Sequence, residues 1–311
     1  MCSSDLTHDA VAALQSQRRP VEPKSSYEDF RSILHLHSKF SHDSRGTIEE
    51  VVAAAREAGV RVLMFTEHPA DHYDFVLDGH HGMKDGVLLI PGAETRGFLA
   101  YAKKSIKGLD FSSPQEFSDM IRRQGGLTFV SHLEERMDWD VRGATGCEIY
   151  NTHADVKEEK RLMSAMRSPL TLLQLVPAVR KFPQEAYSAL LDYPADYLRR
   201  YDQLCQKGRM TGVAANDAHQ NIGVVVKLLA GGKVRIEDVL DQKLAELDAR
   251  QLPLLAPLVL GRKPGDRIFE IRLDPYPVAF RHVSTHLLMK EQTEPRSEEH
   301  TSELQSPCNL V

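Results

Sequence analysis

From Ser32 onward, short apolar runs alternate with amphipathic stretches. Runs at Ser32–Leu36, Arg61–Phe65, Val87–Ile90, Phe98–Ala102, Leu127–Val130, Gly146–Tyr150 and Met210–Ala214 predict strands. Two intervening stretches carry helix start signals. Thr47-Ile-Glu-Glu50 reads as a capping box, followed by an apolar face of Ile48, Val51, Val52 and Ala55 and a stop at Gly59. Ser113-Pro-Gln-Glu116 repeats the device, with Phe117, Met120 and Ile121 facing inward and Gly125 ending the helix. Strands alternating with helices predict a parallel α/β architecture.

The remaining segments fit that pattern less well. Residues 7–30 are a polar lead-in. Residues 154–208, rich in Lys, Arg, Glu and Tyr and punctuated by Pro169, Pro177, Pro183 and Pro194, read as a helical insertion that shapes the mouth of a site. A helix is expected over Ile236–Ala249 and a strand over Arg267–Leu273, the latter opening a β-containing segment, 251–295, that breaks off near Pro295. The two ends, 1–6 (MCSSDL) and 296–311 (RSEEHTSELQSPCNLV), resemble translated sequencing adapter. The natural gene is therefore expected to extend past both, and the compartment is left open, with the cytoplasm as the default.

Composition narrows the function classes. The 311 residues are 41% hydrophobic, enough for one large barrel or two domains. With 39 Lys and Arg against 44 Asp and Glu, no overall basic field favours nucleic acid. No run of about 18 apolar residues reads as a membrane span. Four cysteines are too few for a disulfide framework in a chain this long.

The 14 histidines are the informative residues, because they cluster where the predicted strands end. His35-Leu-His37 closes the first strand and, two apart, the imidazoles share a face. Glu67-His68 follows the second strand, Glu94 the third, His132 the Leu127–Val130 strand, and Asp217-Ala-His219 the Met210–Ala214 strand. In a parallel barrel all of these reach the carboxy-terminal rim. Imidazoles and carboxylates converging there suit Zn, Mn or Fe, and a carboxylate can bridge two ions.

His35-Leu-His37, Thr66-Glu-His68, Pro91-Gly-Ala-Glu94, Ser131-His132 and Asn216-Asp-Ala-His219 match in order the motif regions of the polymerase and histidinol phosphatase (PHP) family, which the chain resembles over about residues 31–225. The resemblance implies a distorted seven-stranded β/α barrel over 31–250. It also implies a centre of two or three divalent metal ions that hydrolyses phosphate esters of small molecules. By the same resemblance His35, His37, Glu94 and Asp217 hold one ion, and Glu94 bridges to a second that takes His132. His68 and His219 hold a third, with His42 or Asp43. Asp217, His219 and Glu94 are the implied catalytic residues.

Three departures from the family pattern stand out. Both His42 and Asp43 are available after the first motif. Glu67 replaces the usual Asp before His68. No histidine lies in 95–131, where many members place one, and His153 is a candidate replacement. In the Glu148–His153 stretch the family commonly has a Glu and an Asn as supporting residues. His72, His80 and His81 read as loop residues near the mouth.

The expected reaction is attack on phosphorus by a metal-activated hydroxide. Lys39, Arg45 and Arg96 are the candidate phosphate-binding cations, and His219 or a water the source of the leaving-group proton. Two alternatives remain at this level. One is a metal-dependent amidohydrolase, disfavoured by the order of the motifs. The other is a non-catalytic metal-binding module, supported by the ligand absent after Glu94. Oligomeric state is not legible.

Overall fold

The computed structural model describes residues 3–19, 27–159, 169–248 and 259–289. The adapter-like end 296–311, residues 1–2, 160–168 of the insertion, and 251–258 and 290–295 of the C-terminal segment lie outside them. Residues 3–6 of the other adapter-like end fall in α1 (Ser3–Ser16).

The fold is mixed α/β and divides into two compact units, residues 23–154, 192–219 and 279–311, and residues 1–22, 155–191 and 220–278. The larger unit carries β1 (Glu28–Ile33), β2 (Val62–Met64), β3 (Gly82–Lys84), β4 (Val87–Ile90), β5 (Ala93–Thr95), β6 (Phe98–Tyr101), β7 (Leu127–Val130), β8 (Gly146–Asn151) and β9 (Thr211–Ala215). In the smaller unit β10 (Gly223–Leu228), β11 (Lys233–Asp238), β12 (Lys243–Asp248) and β13 (Arg267–Arg272) form an antiparallel sheet in the order 12-11-10-13. The final strand, β14 (Thr285–Met289), belongs to the larger unit and pairs antiparallel with β1.

The larger unit has two five-stranded sheets, ordered 14-1-2-4-3 and 5-6-7-8-9. Among the described residues isolated parallel bridges, Leu36 to Ala218 and Glu67 to Ala93, are the strand pairings between them, and the expected closed seven-stranded barrel is not seen there. The reason lies between Glu94 and Phe98. Arg96 and Gly97 both take positive φ, 52° and 79°, and turn the chain in a two-residue hairpin. β6 therefore returns antiparallel to β5, and β7 pairs antiparallel with β6, whereas a parallel crossover needs about a dozen residues. Parallel pairing survives from β1 to β2 to β4 and from β7 to β8 to β9.

Side chains from both sheets share one core: Phe30, Val62, Met64 and Leu88 with Leu99, Tyr101, Phe129 and Val213. The buried Tyr101 hydroxyl donates to the carbonyls of Leu34 and Met64, tying the ends of β1 and β2 just before the histidine motifs. Gly92 lets β5 come this close, because a Cβ there would stand 2.5 Å from the Tyr101 ring and 2.7 Å from the Phe65 carbonyl.

Both helices with sequence start signals form. In α2 (Ile48–Glu57) the Thr47 side chain accepts the Glu50 N–H while the Glu50 carboxylate accepts the Thr47 N–H, and Val51, Val52, Ala54 and Ala55 are buried. Thr47→Ala is expected to cost about 1 kcal/mol, read as a fall of a few degrees in Tm with metal content unchanged. In α3 (Pro114–Arg123) Ser113 caps as expected, but Glu116 bonds Ser112 instead, so the box is only half made.

The helix expected over Ile236–Ala249 is instead the β11–β12 hairpin. Val234 and Ile236 are buried while Arg235 pairs with Glu246 across the strands, a period of two. The Asp238 carboxylate accepts the N–H groups of Leu240 and Gln242 and closes the turn. The strand expected over Arg267–Leu273 forms as β13. No helix among the described residues is long and apolar enough to cross a membrane.

Candidate metal centre

The motif residues sit just beyond the carboxy ends of β1, β2, β7 and β9, apart from Glu94, which lies within β5. They converge in one unit. His35, Glu94, His132 and Asp217 offer ligand atoms within 4.8 Å of one another, and so do His37, Asp43, His68 and His219. A third group is His153, Asp217 and His219. The two histidines of His35-Leu-His37 thus fall in different four-residue groups, although the His37 Nε2 also lies 3.2 Å from Asp217 Oδ1 and 3.6 Å from Glu94 Oε2.

Asp217 and Glu94 are the hubs. Asp217 Oδ1 lies 3.0 Å from His35 Nε2, and Oδ2 lies 3.5 Å from His132 Nε2 and 3.2 Å from His153 Nδ1. Glu94 Oε1 lies 3.0 Å from His132 Nε2, while Oε2 lies 3.4 Å from His35 Nε2 and 3.8 Å from His68 Nδ1. In the second group Asp43 spans His68 at 3.5 Å and His219 at 3.3 Å.

Two observations show that this donor set fits metal ions. Tetrahedral bonds of roughly 2.0–2.2 Å put neighbouring ligand atoms about 3.4 Å apart, the spacing seen here. Further, among the described residues buried His35 Nε2, Asp217 Oδ1 and His219 Nε2 make no hydrogen bond to a group outside the donor set, and the atoms they face at 3.0–3.3 Å are candidate ligand atoms themselves, as expected of atoms gathered around an ion.

Supporting groups fix which nitrogen of each ring faces inward. His35 Nδ1–H donates to Glu148, a fully buried carboxylate whose other oxygen accepts the His132 backbone N–H at 2.8 Å. His37 Nδ1–H donates to Ser41 Oγ at 3.0 Å, which also accepts the His68 N–H at 2.9 Å and donates to Glu67 at 2.7 Å. Ser38 gives Glu67 further bonds from its amide and hydroxyl. Glu67 therefore supports His37 through Ser41. His132 Nδ1–H donates to Glu134 at 2.9 Å, and His219 Nδ1–H to the Asp217 carbonyl at 2.8 Å. His132 and Asp217 both hold positive φ, 45° and 48°, a conformation that costs a non-glycine residue about 1–2 kcal/mol and concentrates at functional sites.

The electrostatics are those of an anionic site that needs cations. Burial disfavours charge on His35, yet the Asp217, Glu148 and Glu94 carboxylates outweigh it and raise its pKa well above the ordinary value. His132 is likewise raised, to about 11, by Glu134 and Glu94 against its burial. Burial would raise Asp217 and Glu94, but the surrounding imidazoles hold both well below the carboxylate range. Burial and the adjacent His219 hold His37 well below the usual imidazole value. Among the described residues no Lys or Arg pairs with Glu94, Glu148 or Asp217. The carboxylates thus favour the charged form of the His35 and His132 imidazoles, and a metal ion would take the place of such protons.

Of the sequence-predicted residues, Asp43 and not His42 enters a group. His42 is exposed, its ring 5.1 Å from that of His68. His153 joins Asp217 and His219, its ring stacked 4.7 Å from His219, instead of replacing the ligand absent beside Glu94 and His132. Arg96 is turned onto Phe111 and Asp110, lining a cavity of about 220 Å³ that also borders Pro69 and Lys107. Lys39 and Arg45 are exposed on the loop that carries Asp43. His80 is half-buried against Phe40 and Phe65, and burial with nearby Lys39 lowers it to about 4.

Sequence reading missed Ser38, Ser41 and Glu134. Glu134 had a signal, His132-x-Glu134, whereas Ser41 is one serine of several in its loop. Ser41→Ala is expected to weaken metal binding about 10-fold, read by chelator competition, because His37 loses its Nδ1 acceptor.

Residues 34–245 match the family model described as PHP domain. None of the curated proteins compared matches the chain. Among solved structures the chain is similar to a two-domain protein containing a predicted PHP-like metal-dependent phosphoesterase from Bacteroides vulgatus ATCC 8482, at 20% identity and a TM-score of 0.37 over 65% of this chain and 57% of that one. It spans little more than half the length of that protein. It is also similar to PsfC from Pseudomonas syringae PB-5123, at 15% identity and a TM-score of 0.40 over 74% of this chain and 96% of that one. The family match takes in about two thirds of the chain and every residue of the three ligand groups, and the chain belongs to the PHP domain family.

Proposed function

We propose that the protein is a metal-dependent phosphoesterase acting on small-molecule phosphate esters, with two or three Zn, Mn or Fe ions held by the clustered histidines and carboxylates. The observation that carries this reading is the shared pair Glu94 and Asp217, whose carboxylate oxygens face different sets of imidazoles. Glu94 and Asp217 would let neighbouring ions be held here, and such ions would supply the charge compensation that a displacement at phosphorus needs.

Divalent ions bound there supply Lewis acidity, lowering the pKa of water toward neutrality and offsetting charge on the phosphoryl oxygens. The protein's part is to hold the ligands rigidly. His35, His132, Glu94 and Asp217 form one half of the site, and His37, Asp43, His68 and His219 the other. His219 is assigned to ligation, since its Nδ1–H is committed to the Asp217 carbonyl and its Nε2 faces Asp43. The leaving alkoxide then takes its proton from solvent. Lys39 and Arg45, exposed on the loop that carries Asp43, are the cations assigned to the phosphoryl oxygens.

A panel of phosphate monoesters, diesters and amides, assayed with each ion after reconstitution, tests the assignment. Metal-dependent phosphate release that stops on chelation is expected. Metal-loaded protein that cleaves amides but no phosphate ester would transfer the site to the amidohydrolase reading. Metal-loaded protein that cleaves neither would leave the non-catalytic one.

A further inference from the structure

His132 is held through both its main chain and its ring. Its N–H donates to Glu148, its carbonyl accepts from Arg136 at 3.1 Å, and its Nδ1–H donates to Glu134. The first two set the main chain, and the third sets the ring that aims Nε2 at Glu94. Glu134 is itself held, because the Tyr197 hydroxyl donates to its second oxygen. Tyr197 belongs to the helix Ala195–Cys205, part of the segment read from sequence as an insertion. That helix is anchored independently: Tyr201 OH donates to the Met210 carbonyl at 3.0 Å, and Arg200 donates to the Trp139 carbonyl.

We propose that Tyr197 and Glu134 are positioning residues of the metal centre, a chain Tyr197–Glu134–His132 through which the Ala195–Cys205 helix sets the orientation of one ligand. The proposal rests on the metal-centre reading above. Glu134 Oε1 is taken by the His132 Nδ1–H, so these two atoms hold a proton between them instead of facing one ion together. Its companion Glu135 is 64% exposed and paired with Arg136 at 3.1 Å, so His132, Glu134 and Glu135 do not make a separate ion site. Losing the Glu134 charge frees the His132 ring to rotate. Losing the Tyr197 hydroxyl frees Glu134 to leave His132 for water.

The test is the affinity of the full chain for Zn²⁺ alone, measured by chelator competition, with the visible spectrum of the Co²⁺-loaded protein as a second readout. Glu134→Gln is expected to weaken zinc binding about 10–100-fold and to change the cobalt band. Tyr197→Phe should weaken it about 5-fold in the wild-type background and not at all in Glu134→Gln, because the two act in series. Tyr201→Phe removes a hydrogen bond from the same helix without touching Glu134, and should lower Tm while leaving zinc affinity intact.

Unchanged affinity in Tyr197→Phe, equal losses in both backgrounds, or an equal loss in Tyr201→Phe would each overturn the proposal while wild-type protein still binds zinc. Wild-type protein that binds none would overturn the metal centre, and the proposal with it. Should Glu134→Gln not fold, Tyr197→Phe against Tyr201→Phe still decides.

Discussion

Asp217→Asn is expected to fold normally yet lose bound metal and at least ~10²-fold in phosphate release, the scale on which removing one group that stabilises a transition state is felt. Asp217 is 3% exposed and lies within 3.5 Å of His35, His37, His132, His153 and His219. The amide keeps its shape and its contact with Asn151, 3.2 Å away, but not the charge that a metal ligand at this position would supply. His35→Gln should have a similar effect, because the amide can still donate to buried Glu148 but offers no inward nitrogen. His35→Ala is a poorer test, since it strips the Glu148 carboxylate of its histidine partner, a loss of about 3–5 kcal/mol for a buried ion pair. Near-ultraviolet circular dichroism beside the activity assay separates misfolding from lost chemistry. Near-wild-type turnover in Asp217→Asn would remove Asp217 from the centre.

Metal removal carries the second large effect. An ion present at 100 times its Kd adds about 2.7 kcal/mol to stability. At about 2–4 °C per kcal/mol for a chain approaching this size, chelation should lower Tm by on the order of 5–10 °C per ion. Without ions, Glu94, Glu148 and Asp217 stand together with no Lys or Arg paired to them among the described residues, which sets the sign. Thermal scans with and without chelator measure the shift. Glu94→Gln is the control, because the chelator-dependent part of the shift should shrink once the shared carboxylate is gone. A chelator-insensitive Tm in wild-type protein would mean that the cluster holds no ion tightly enough to matter.

Much of the candidate site was legible in the sequence, because His, Asp and Glu are common ligands of such ions and here they follow the apolar runs. His35, His37, His68, His132, Asp217 and His219 could be read that way, and Glu94 was found although it lies inside a short strand. The choice between His42 and Asp43 was not legible. Adjacent residues on a loop point differently only once the Lys39 N–H to Gly46 carbonyl bond, 2.8 Å, closes that loop. The supporting groups were hidden for a related reason: Ser41 reaches Glu67 across 26 positions, and Tyr197 reaches Glu134 across 63.

Strands β2, β4, β6, β7, β8, β9 and β13 were legible close to their bounds and β1 only at Ser32 and Ile33, whereas β3, β5, β10, β11, β12, β14 and the closure of the sheets were not. The Arg96-Gly97 turn was visible as a short gap between two apolar runs, too short for a helical crossover, yet the alternating pattern suggested a parallel barrel throughout. The same confusion of periods affected the helix expected over Ile236–Ala249, which overlaps β11 and β12, where Val234 and Ile236 alternate with Arg235 and Glu237. An apolar count reads that stretch as a helix, whereas the two-residue period and the Asp238 turn make it a hairpin.

The most direct test of the account is metal stoichiometry by elemental analysis of the purified full chain, as isolated and after reconstitution with Zn, Mn or Fe. Two or three equivalents are predicted, falling in Asp217→Asn and Glu94→Gln. Less than one equivalent in folded, reconstituted protein would contradict the multinuclear centre and the phosphoesterase assignment built on it.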